Sequence, residues 1–289
     1  MKRLAVLGVG NMGSAAAATI AATGREVTVW NRTRGKSDSL AVDTPIQVAD
    51  SVAGAVRSAE MVWISFDLFE AVKEVLMNDE IRAEIAGKHL ITQTATRPVQ
   101  IAEFAEFVNG AGGFLSEVTT VATPDTIRAK AATAVYAGPA LEHWDDILGV
   151  ISSEIIDHGP LGAASHFEMS FIVNTLTWIY AAFYPLACMA SQGMKIDPSL
   201  HVMKTSPLYT MPVYAWWGER IRERRYDNAD IPIDFALGHM DEAIQYLRES
   251  GMPTGVMEEI RIYIAKAVEL GWGKRDTTSL FEIMMASKA

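Results

Sequence analysis

The amino-acid sequence predicts an α/β protein in which a doubly wound, mainly parallel sheet is followed by an all-α C-terminal part. Apolar strands alternate with helical stretches through the first half of the chain, which is typical of a parallel sheet with helical crossovers. From about residue 162 onward the strand pattern fades and long helical patterns fill the rest. We therefore expect two domains, residues 1–160 and residues 161–289.

Each predicted strand is a short apolar segment that precedes or follows a helical stretch. The first strand ends directly before residue 8, and the others cover residues 26–30, 46–48, 61–66, 89–94, 114–120, 132–137 and 151–156. The predicted helices cover residues 14–23, 51–58, 68–86, 98–109 and 140–149. This order places helices on both faces of one sheet.

A glycine motif connects the first strand to the first helix. Gly8, Gly10 and Gly13 form the pattern Gly-x-Gly-x-x-Gly. The first glycine allows a tight turn, the second lets the backbone approach a pyrophosphate, and the third lets the helix pack closely on the strand. Free N–H groups at the helix start would bind the diphosphate. The context favours a dinucleotide-binding Rossmann domain over an ordinary strand-to-helix turn.

The loop after the second strand indicates which dinucleotide binds. A domain that binds NAD usually carries an acidic residue there, which accepts hydrogen bonds from the ribose hydroxyls. This chain has Asn31, Arg32, Thr33 and Lys36, which offer a guanidinium, a hydroxyl and an ammonium group to a 2′-phosphate. The alternative is a solvated basic loop, although the chain as a whole is acidic. We therefore predict that the cofactor is NADP(H).

Composition restricts the class of protein. The net charge of −10 argues against a general nucleic-acid surface, which needs clustered basic residues. The single cysteine, Cys188, excludes an intramolecular disulfide and fits a reducing compartment. The first strand begins almost at the N-terminus, which leaves no room for a signal peptide, and no metal-ligand spacing is visible. These features predict a cytoplasmic enzyme without a metal ion.

A long apolar segment, residues 171–190, has two interpretations. Its length approaches that of a membrane span, but it contains Asn174, Thr175, Thr177 and Pro185 and has no basic flank. A helix that is apolar nearly all round is equally compatible with burial inside protein. We interpret the segment as a core helix shared between domains or subunits, and we expect no membrane contact.

Several further segments match a known superfamily. The glycine motif at residues 8–13 is followed by Val-Trp-Asn-Arg-Thr at 29–33 and by matching segments at 94–98, 121–124, 133–138 and 159–168. On these residues the chain resembles, over essentially its whole length, the imine reductase and reductive aminase branch of the β-hydroxyacid dehydrogenase (6-phosphogluconate dehydrogenase-like) superfamily. The resemblance implies reduction of C=N bonds with NADPH. It also implies a long interdomain helix and a homodimer in which that helix is swapped between chains.

Position 168 separates the branches of that superfamily. The hydroxyacid dehydrogenases place a catalytic lysine here and an asparagine where this chain has Ile172, whereas imine reductases most often place aspartate. Glu168 keeps the carboxyl and adds about 1.5 Å of reach. In an apolar pocket its pKa would rise, so that it could protonate an imine nitrogen or, when ionised, stabilise an iminium cation. The alternative is a carboxylate that caps or ion-pairs the helix start.

The resemblance also implies the residues around the reacting atoms. The absence of a polar side chain at position 95 favours preformed imines over reductive amination. Aromatic residues at 209–217 suit a hydrophobic amine, with core packing as the alternative. We expect the substrate pocket to be lined by Ala95, Thr120, Ile172, Tyr180, Tyr214 and Trp217. We expect the cofactor to be bound by Gly8, Gly10, Asn11, Met12, Gly13, Asn31, Arg32, Thr33, Lys36, Ser65, Phe66 and Thr94.

The sequence therefore predicts an NADPH-dependent imine reductase that acts on a small-molecule imine or amine. Two alternatives stay open. One is a β-hydroxyacid dehydrogenase-like carbonyl or alcohol oxidoreductase that has lost its lysine. The other is a nucleotide-binding protein without turnover.

Overall fold

The structure is a computed structural model that describes residues 2–195, 197–205 and 213–286. For the helical residues 179–180, 182–185, 203–204 and 213–216 it describes the backbone alone. The chain divides into two compact units, and the division lies between Leu176 and Thr177. Each unit has its own elements and its own apolar core.

The first unit contains eight strands. In chain order they are β1 (Leu4–Leu7), β2 (Val27–Trp30), β3 (Gln47–Val48), β4 (Met61–Ile64), β5 (His89–Thr92), β6 (Phe114–Val121), β7 (Ala132–Ala137) and β8 (Ser152–Asp157). The helices between them are α1 (Asn11–Ala21), α2 (Arg34–Asp43), α3 (Val52–Ser58), α4 (Phe69–Leu76), α5 (Asp79–Arg82), α6 (Pro98–Gly110), α7 (Pro124–Arg128) and α8 (Asp145–Ile151), the last preceded by a 3₁₀ turn at Leu141–His143. These bounds confirm the predicted α/β class.

All eight strands form one sheet, in the order β3-β2-β1-β4-β5-β6-β7-β8. Every neighbouring pair is parallel except β6 and β7. Strands β2 and β3 are added on one side of β1, and β4 and the later strands are added on its other side. In such sheets ligands bind beside the carboxyl ends of the strands where this order reverses, here between β1 and β4. The residues that follow β1 and β4 therefore define where a site is expected.

The sheet is buried on both faces, which explains why its central strands are apolar throughout. In β1, Leu4 and Val6 belong to the core on one side, and Ala5 and Leu7 belong to the core on the other. Alternate residues of a strand point to opposite faces, so a strand covered by helices on both sides needs apolar residues at every position. The predicted continuous apolar strands are thus a consequence of the doubly wound arrangement.

Three local features differ from the sequence prediction. The single helix expected at residues 68–86 is divided into α4 and α5, because the side chain of Asn78 accepts a hydrogen bond from the Ile81 amide, 3.1 Å away, and starts a new helix. Helices α2 and α7 were not predicted. The antiparallel pairing of β6 with β7 was also not predicted, because the residue patterns of the two strands suit either direction.

The described residues of the second unit are mainly helical. Helix α9 (Ala163–Ser191) begins in the first unit and ends in the second, and α10 (Asp197–Thr205), α11 (Val213–Glu223), α12 (Ile233–Glu249), α13 (Gly255–Glu269) and α14 (Leu280–Ala286) follow, with a 3₁₀ turn at Thr277–Ser279. Its core includes Ile233, Ile264, Ala267 and Ile283. The expected combination of a Rossmann domain, a long helix between domains and an all-α C-terminal part is confirmed.

The division lies 16 residues later than the boundary expected at 160/161, between residues 176 and 177. The start of α9 stays with the sheet because Ala164 is fully buried against Val135 and Ala137 of β7. The roles expected of residues 161–289, substrate binding and dimerisation, stay predictions.

Helix α9, expected to be a core helix shared between domains or subunits, is not fully buried within one chain. Within the chain, Val173, Leu176 and Trp178 are 67%, 62% and 67% exposed. In the described part of the chain, no helix combines the length and apolar character needed to span a membrane.

Candidate active site

The glycine loop after β1 has the conformation that the motif predicts. Gly8 has φ +93°, a backbone conformation that side chains disfavour, and a Cβ there would lie 2.2 Å from the Ser65 carbonyl oxygen. A Cβ on Gly13 would lie 2.0 Å from the Gly8 carbonyl oxygen, so only glycine lets α1 pack this closely on the loop. A Cβ on Gly10 would meet no atom within 4 Å. The loop therefore has no room for a side chain at Gly8 or Gly13, whereas the space beside Gly10 is free.

The open side of the loop is also the N-terminus of α1. Gly10 is the N-cap residue and provides no side-chain hydrogen bond to the first turn. The early amide groups of a helix lack partners inside the helix, and the helix dipole favours an anion beside them. Together with the free space above Gly10, this geometry fits the diphosphate of a dinucleotide.

A cavity of about 540 Å³ extends from this loop to the end of β2. Its lining includes nine of the predicted cofactor residues: Gly8, Gly10, Asn11, Asn31, Arg32, Thr33, Lys36, Ser65 and Phe66. The amide oxygen of Asn31 accepts a hydrogen bond from the Val9 amide, 3.1 Å away, and so joins the β2 loop to the glycine loop. That contact is a role for Asn31 that the sequence did not reveal.

The basic residues of the loop differ in how they are paired. Arg34 forms ion pairs with Asp38 and Asp50, and the pKa of its guanidinium is raised by its hydrogen bond to Asp50 and by both acidic charges. Arg32 is 74% exposed and has one long contact, 3.4 Å to the equally exposed Glu74. An exposed pair of this kind contributes little stability, so Arg32 is available to bind a phosphate.

Arg32→Ala is expected to weaken NADPH binding by roughly 10- to 100-fold, since a hydrogen bond to a charged group contributes about 1.5–3 kcal/mol. NADH binding should change little, because NADH carries no 2′-phosphate. Arg34→Ala is the matched control, since it removes the same charge from a residue already paired with two carboxylates. Fluorescence titration of both cofactors measures the effect. Equal losses for NADPH and NADH in Arg32→Ala would show that the loop does not recognise the 2′-phosphate.

A second cavity, of about 370 Å³, adjoins the first at the carboxyl ends of β4, β5 and β6. Both are lined by Gly10, Asn11, Ser65, Phe66 and Asp67. The second cavity is completed by Met12, Gln93, Ala95, Thr120 and Glu168. The predicted residues Met12, Ala95, Thr120 and Glu168 are therefore brought together in one place.

Glu168 is half-buried on the second turn of α9, where its carboxyl lines the cavity. Burial raises its pKa to about 7, and the nearby charge of Glu117 acts in the same direction. Hydrogen bonds from the Thr96 amide and the Thr119 hydroxyl favour the ionised form and limit the rise in pKa. A carboxyl with a pKa near 7 exists in both protonation states near neutral pH, as a general acid requires. The alternative role, a simple helix cap, does not account for this location.

Two functional candidates were missed by sequence reasoning. Gln93 accepts a hydrogen bond from the Trp63 indole N–H, 3.0 Å away, and its amide nitrogen donates to the Thr120 hydroxyl oxygen. The Thr120 hydrogen is then free to point elsewhere, so Thr120 can act as a donor in the cavity. Glu117 is 2% exposed within β6 and accepts hydrogen bonds from the backbone at the start of α9. Neither residue lies in a recognisable sequence motif.

Several predicted residues lie elsewhere or are not described. Thr94 lines neither cavity, because it is buried and its hydroxyl oxygen accepts a hydrogen bond from the Phe66 amide, 3.0 Å away. Gly13 is likewise behind the cavities, where it allows α1 to pack. Ile172 is half-buried on α9 but is not part of the cavity lining.

The predicted aromatic wall falls mostly outside the described residues. The side chains of Tyr180 and Tyr214, and all of residues 209–212, belong to that part of the chain. Trp217 lies in the second unit and is 39% exposed. The expected substrate-pocket role of these residues stays a prediction.

Comparison with known proteins gives consistent results. The chain is 23% identical to the NADPH-dependent reductive aminase of Aspergillus oryzae, over 99% of this chain and 98% of that protein. An imine reductase from Myxococcus stipitatus, solved in complex with NADP+, superposes with a TM-score of 0.92 at 24% identity and covers 98% of this chain and 99% of its own. A reductive aminase from Aspergillus terreus, in complex with NADPH and ethyl-5-oxohexanoate, gives a TM-score of 0.89 at 22% identity, with the same coverage.

These similarities confirm the fold expected from the resemblance. A family model, the NAD binding domain of 6-phosphogluconate dehydrogenase, matches residues 3–155, which is more than half of the chain. The matched region contains the glycine loop and the sheet that carries both cavities. The chain therefore belongs to the family defined by the NAD-binding domain of 6-phosphogluconate dehydrogenase.

Proposed function

We propose that this protein is an NADPH-dependent imine reductase in which Glu168 supplies the proton. One observation carries the proposal: a half-buried carboxyl with a pKa of about 7 lies in a cavity that adjoins the dinucleotide cleft. Bound NADPH supplies a hydride to the carbon of the C=N bond. The glycine loop and Arg32 hold the cofactor, and the second cavity receives the substrate.

The carboxyl of Glu168 provides the other half of the reaction. Its O–H bond breaks and an N–H bond forms at the imine nitrogen, while the carbon receives the hydride, so the product is an amine and Glu168 is left ionised. Glu168 then regains a proton from water. A protonated imine accepts hydride more readily than a neutral one, which is why a donor is useful here. An ionised Glu168 would instead stabilise a substrate that arrives as a cation.

The charge of the cavity favours this reaction over oxidation of hydroxy acids. Glu168 and Asp67 both line the cavity, and their carboxylates would repel an anionic hydroxy acid but attract a cationic amine or iminium. Ala95 offers no polar side chain beside the substrate. We infer that preformed imines are preferred over amine and ketone pairs.

The names of similar proteins support the same class. The relatives include an NADPH-dependent reductive aminase, and the structural neighbours include an imine reductase from Aspergillus terreus in complex with NADPH4 and dibenz[c,e]azepine. Two structural neighbours were solved with NADP+ or NADPH, and the basic loop that lines the first cavity of this chain suits the same cofactor.

A substrate panel tests the proposal. In the reductive direction, purified protein and NADPH are mixed with cyclic imines, with ketone and amine pairs, or with aldehydes. In the oxidative direction, the protein and NADP+ are mixed with 3-hydroxy acids. Cofactor absorbance is followed in both assays. We expect turnover with cyclic imines and little with the other classes. Turnover confined to carbonyls or hydroxy acids would support the dehydrogenase-like alternative, and NADPH binding without any turnover would support a silent nucleotide-binding protein.

We also propose that the protein is a homodimer in which α9 is exchanged between chains. The apolar side chains of Val173, Leu176 and Trp178 are exposed along α9, and a second copy would cover them. Light scattering should give twice the chain mass of 31.6 kDa. A molar mass equal to that of one chain would contradict a dimer.

A further inference from the structure

The start of α9 is held by a carboxyl from a different element. Glu117, in β6, is 2% exposed, and one of its oxygens accepts hydrogen bonds from the Gly162 and Ala164 amides at 2.6 and 3.1 Å. The other oxygen accepts from the Ser165 amide at 3.1 Å. The Ala164 and Ser165 amides belong to the first turn, where a helix lacks internal partners, and Gly162 directly precedes that turn. Glu117 thus caps α9 from the sheet.

The capped turn determines where Glu168 lies. Ala164 and Ser165 are buried, and Glu168 follows Ala164 by four residues, so the two share a helix face. Gly162 has φ +102°, a conformation suited to glycine, which turns the chain so that its amide reaches Glu117. If the first turn frayed or rotated, Glu168 would leave the cavity wall.

Strand β6 also contacts the side chain of Glu168, through Thr119, two residues after Glu117. Residues 117 and 119 point to the same face of β6, because side chains alternate along a strand. The Thr119 hydroxyl is a hydrogen-bond partner of Glu168, and Glu117 is a charged neighbour of that carboxyl. β6 therefore presents one carboxyl to the backbone of α9 and one hydroxyl to its acidic side chain.

We propose that Glu117 is the positioning residue of this site, which fixes the first turn of α9 and places a second carboxyl beside Glu168 so that Glu168 stays a proton donor. The inference rests on the proposed function and identifies what prepares its acid. Glu117 does not line either cavity, so it acts through Glu168.

The other titratable groups around the pair are few among the described residues of the first unit. Asp67 lines the cavity with Glu168, and the Tyr136 hydroxyl of β7 lies 2.8 Å from the Ser116 hydroxyl beside Glu117. The His158 ring, after β8, packs on Phe167 of α9, and His166 is exposed on α9 itself. Burial raises the pKa of Glu117, and its hydrogen bonds from Gly162, Ala164 and Ser165 oppose that rise. Because those donors favour its carboxylate, Glu117 should lose its proton before Glu168 does.

The test is Glu117→Gln, which keeps the shape and removes the charge. Imine reduction depends on protonated Glu168, so the rate falls as pH rises through the pKa of Glu168. Without the neighbouring carboxylate that pKa drops, and we expect the midpoint of the fall to move down by roughly one pH unit, the scale on which a nearby charge shifts a carboxyl pKa. NADPH affinity should stay unchanged.

Asp276→Asn is the matched control. Asp276, in the second unit, is also 2% exposed and accepts hydrogen bonds from the Asp230 and Thr278 amides, both at 2.9 Å. Its replacement should cost stability, as the loss of any such carboxyl does, but should leave the pH midpoint in place. A midpoint that moves as little in Glu117→Gln as in Asp276→Asn would overturn the inference.

A second measurement needs no turnover. In protein labelled with ¹³C at glutamate carboxyls and free of substrate, we expect the Glu168 signal to titrate about one unit lower in Glu117→Gln than in the unaltered protein. If that variant does not fold, titration of the unaltered protein still tests the proposal. The Glu117 carboxyl signal must titrate at lower pH than the Glu168 signal, and the reverse order would contradict the proposal. A shift in this titration without reduction of any imine would reject the proposed function and leave the positioning role standing.

Discussion

Glu168→Gln is expected to lower kcat for a neutral cyclic imine by roughly 10²- to 10⁴-fold, the usual contribution of a positioned general acid. Glutamine keeps the size and hydrogen-bonding shape of the side chain but has no acidic proton. Steady-state NADPH oxidation measures the change. Affinity for NADPH should be unaltered, because Glu168 is absent from the lining of the dinucleotide cleft.

The pH dependence distinguishes a missing acid from a distorted cavity. In the unaltered protein, turnover of neutral imines should fall as pH rises through about 7, the pKa of Glu168. In Glu168→Gln that dependence should disappear. Parent-like rates in the variant across this range would show that Glu168 is not the proton donor.

A permanently charged N-alkyl iminium tests the other possible role of the same carboxyl. This substrate needs hydride but no proton, so a proton donor can be lost without consequence. We expect Glu168→Gln to reduce it at nearly the parent rate if Glu168 acts as an acid. An equally large loss with both substrates would instead indicate that the carboxylate stabilises a cation.

Stability provides the control that the variant is folded. Because the pKa of Glu168 is about 7 in the folded state and 4.5 in a free side chain, its neutral form is favoured by folding, and this stabilisation is lost as pH rises from about 4.5 to above 7. Glutamine avoids that loss. Glu168→Gln should therefore be more stable than the parent above pH 7 by up to about 2–3 kcal/mol, with the gap closing at low pH, as urea midpoints would show.

Gly13→Ala should abolish or severely reduce folding. The added Cβ would lie 2.0 Å from the Gly8 carbonyl oxygen, which is a backbone atom, so no flexible side chain can move aside to relieve the clash. We expect a cost of roughly 3–5 kcal/mol, a large part of the stability of a typical domain. The urea midpoint and the yield of folded protein measure it.

Gly10→Ala is the matched control within the same loop. Gly10 has φ −68°, which alanine tolerates, and its Cβ would meet no atom within 4 Å. The free energy of unfolding of Gly10→Ala should differ from that of the parent by less than about 0.5 kcal/mol. NADPH binding, by contrast, should weaken by about tenfold or more, since the methyl group enters the space expected to hold the diphosphate, and 1.4 kcal/mol already gives a factor of ten. Unchanged NADPH affinity would mean that the diphosphate does not lie over Gly10.

Much of the first unit was predictable because its local rules are strong. A strand covered on both faces must be apolar at each position, which made β1, β4 and β5 recognisable. The glycine spacing predicts the loop because a side chain at Gly8 or Gly13 would collide with backbone atoms, whereas Gly10 has open space beside it. The polar loop after β2 indicated a phosphate site because its residue types are unusual in an acidic chain.

The split of residues 68–86 and the antiparallel β6 and β7 pair were not predicted, for different reasons. Asn78 starts a helix through one side-chain contact that competes with helix continuation, and composition alone does not decide that competition. The direction of β7 depends on where the chain returns to the sheet edge, and its residue pattern suits either direction. The apolar residues of α9 indicated burial, but the exposure of a side chain depends on every chain that packs around it, and sequence composition does not specify those neighbours.

The sequence by itself determined the doubly wound class, the glycine loop and the basic loop, because each depends on residue types at short spacing, and its resemblance to a known superfamily made Glu168 the candidate acid. Only the tertiary structure decided that Glu117 caps the helix bearing Glu168, that Gln93 orients Thr120, and that Asn31 joins the two loops. These contacts connect residues between 22 and 47 positions apart. Strand order and helix packing bring them together, and neither leaves a periodic signal in the chain.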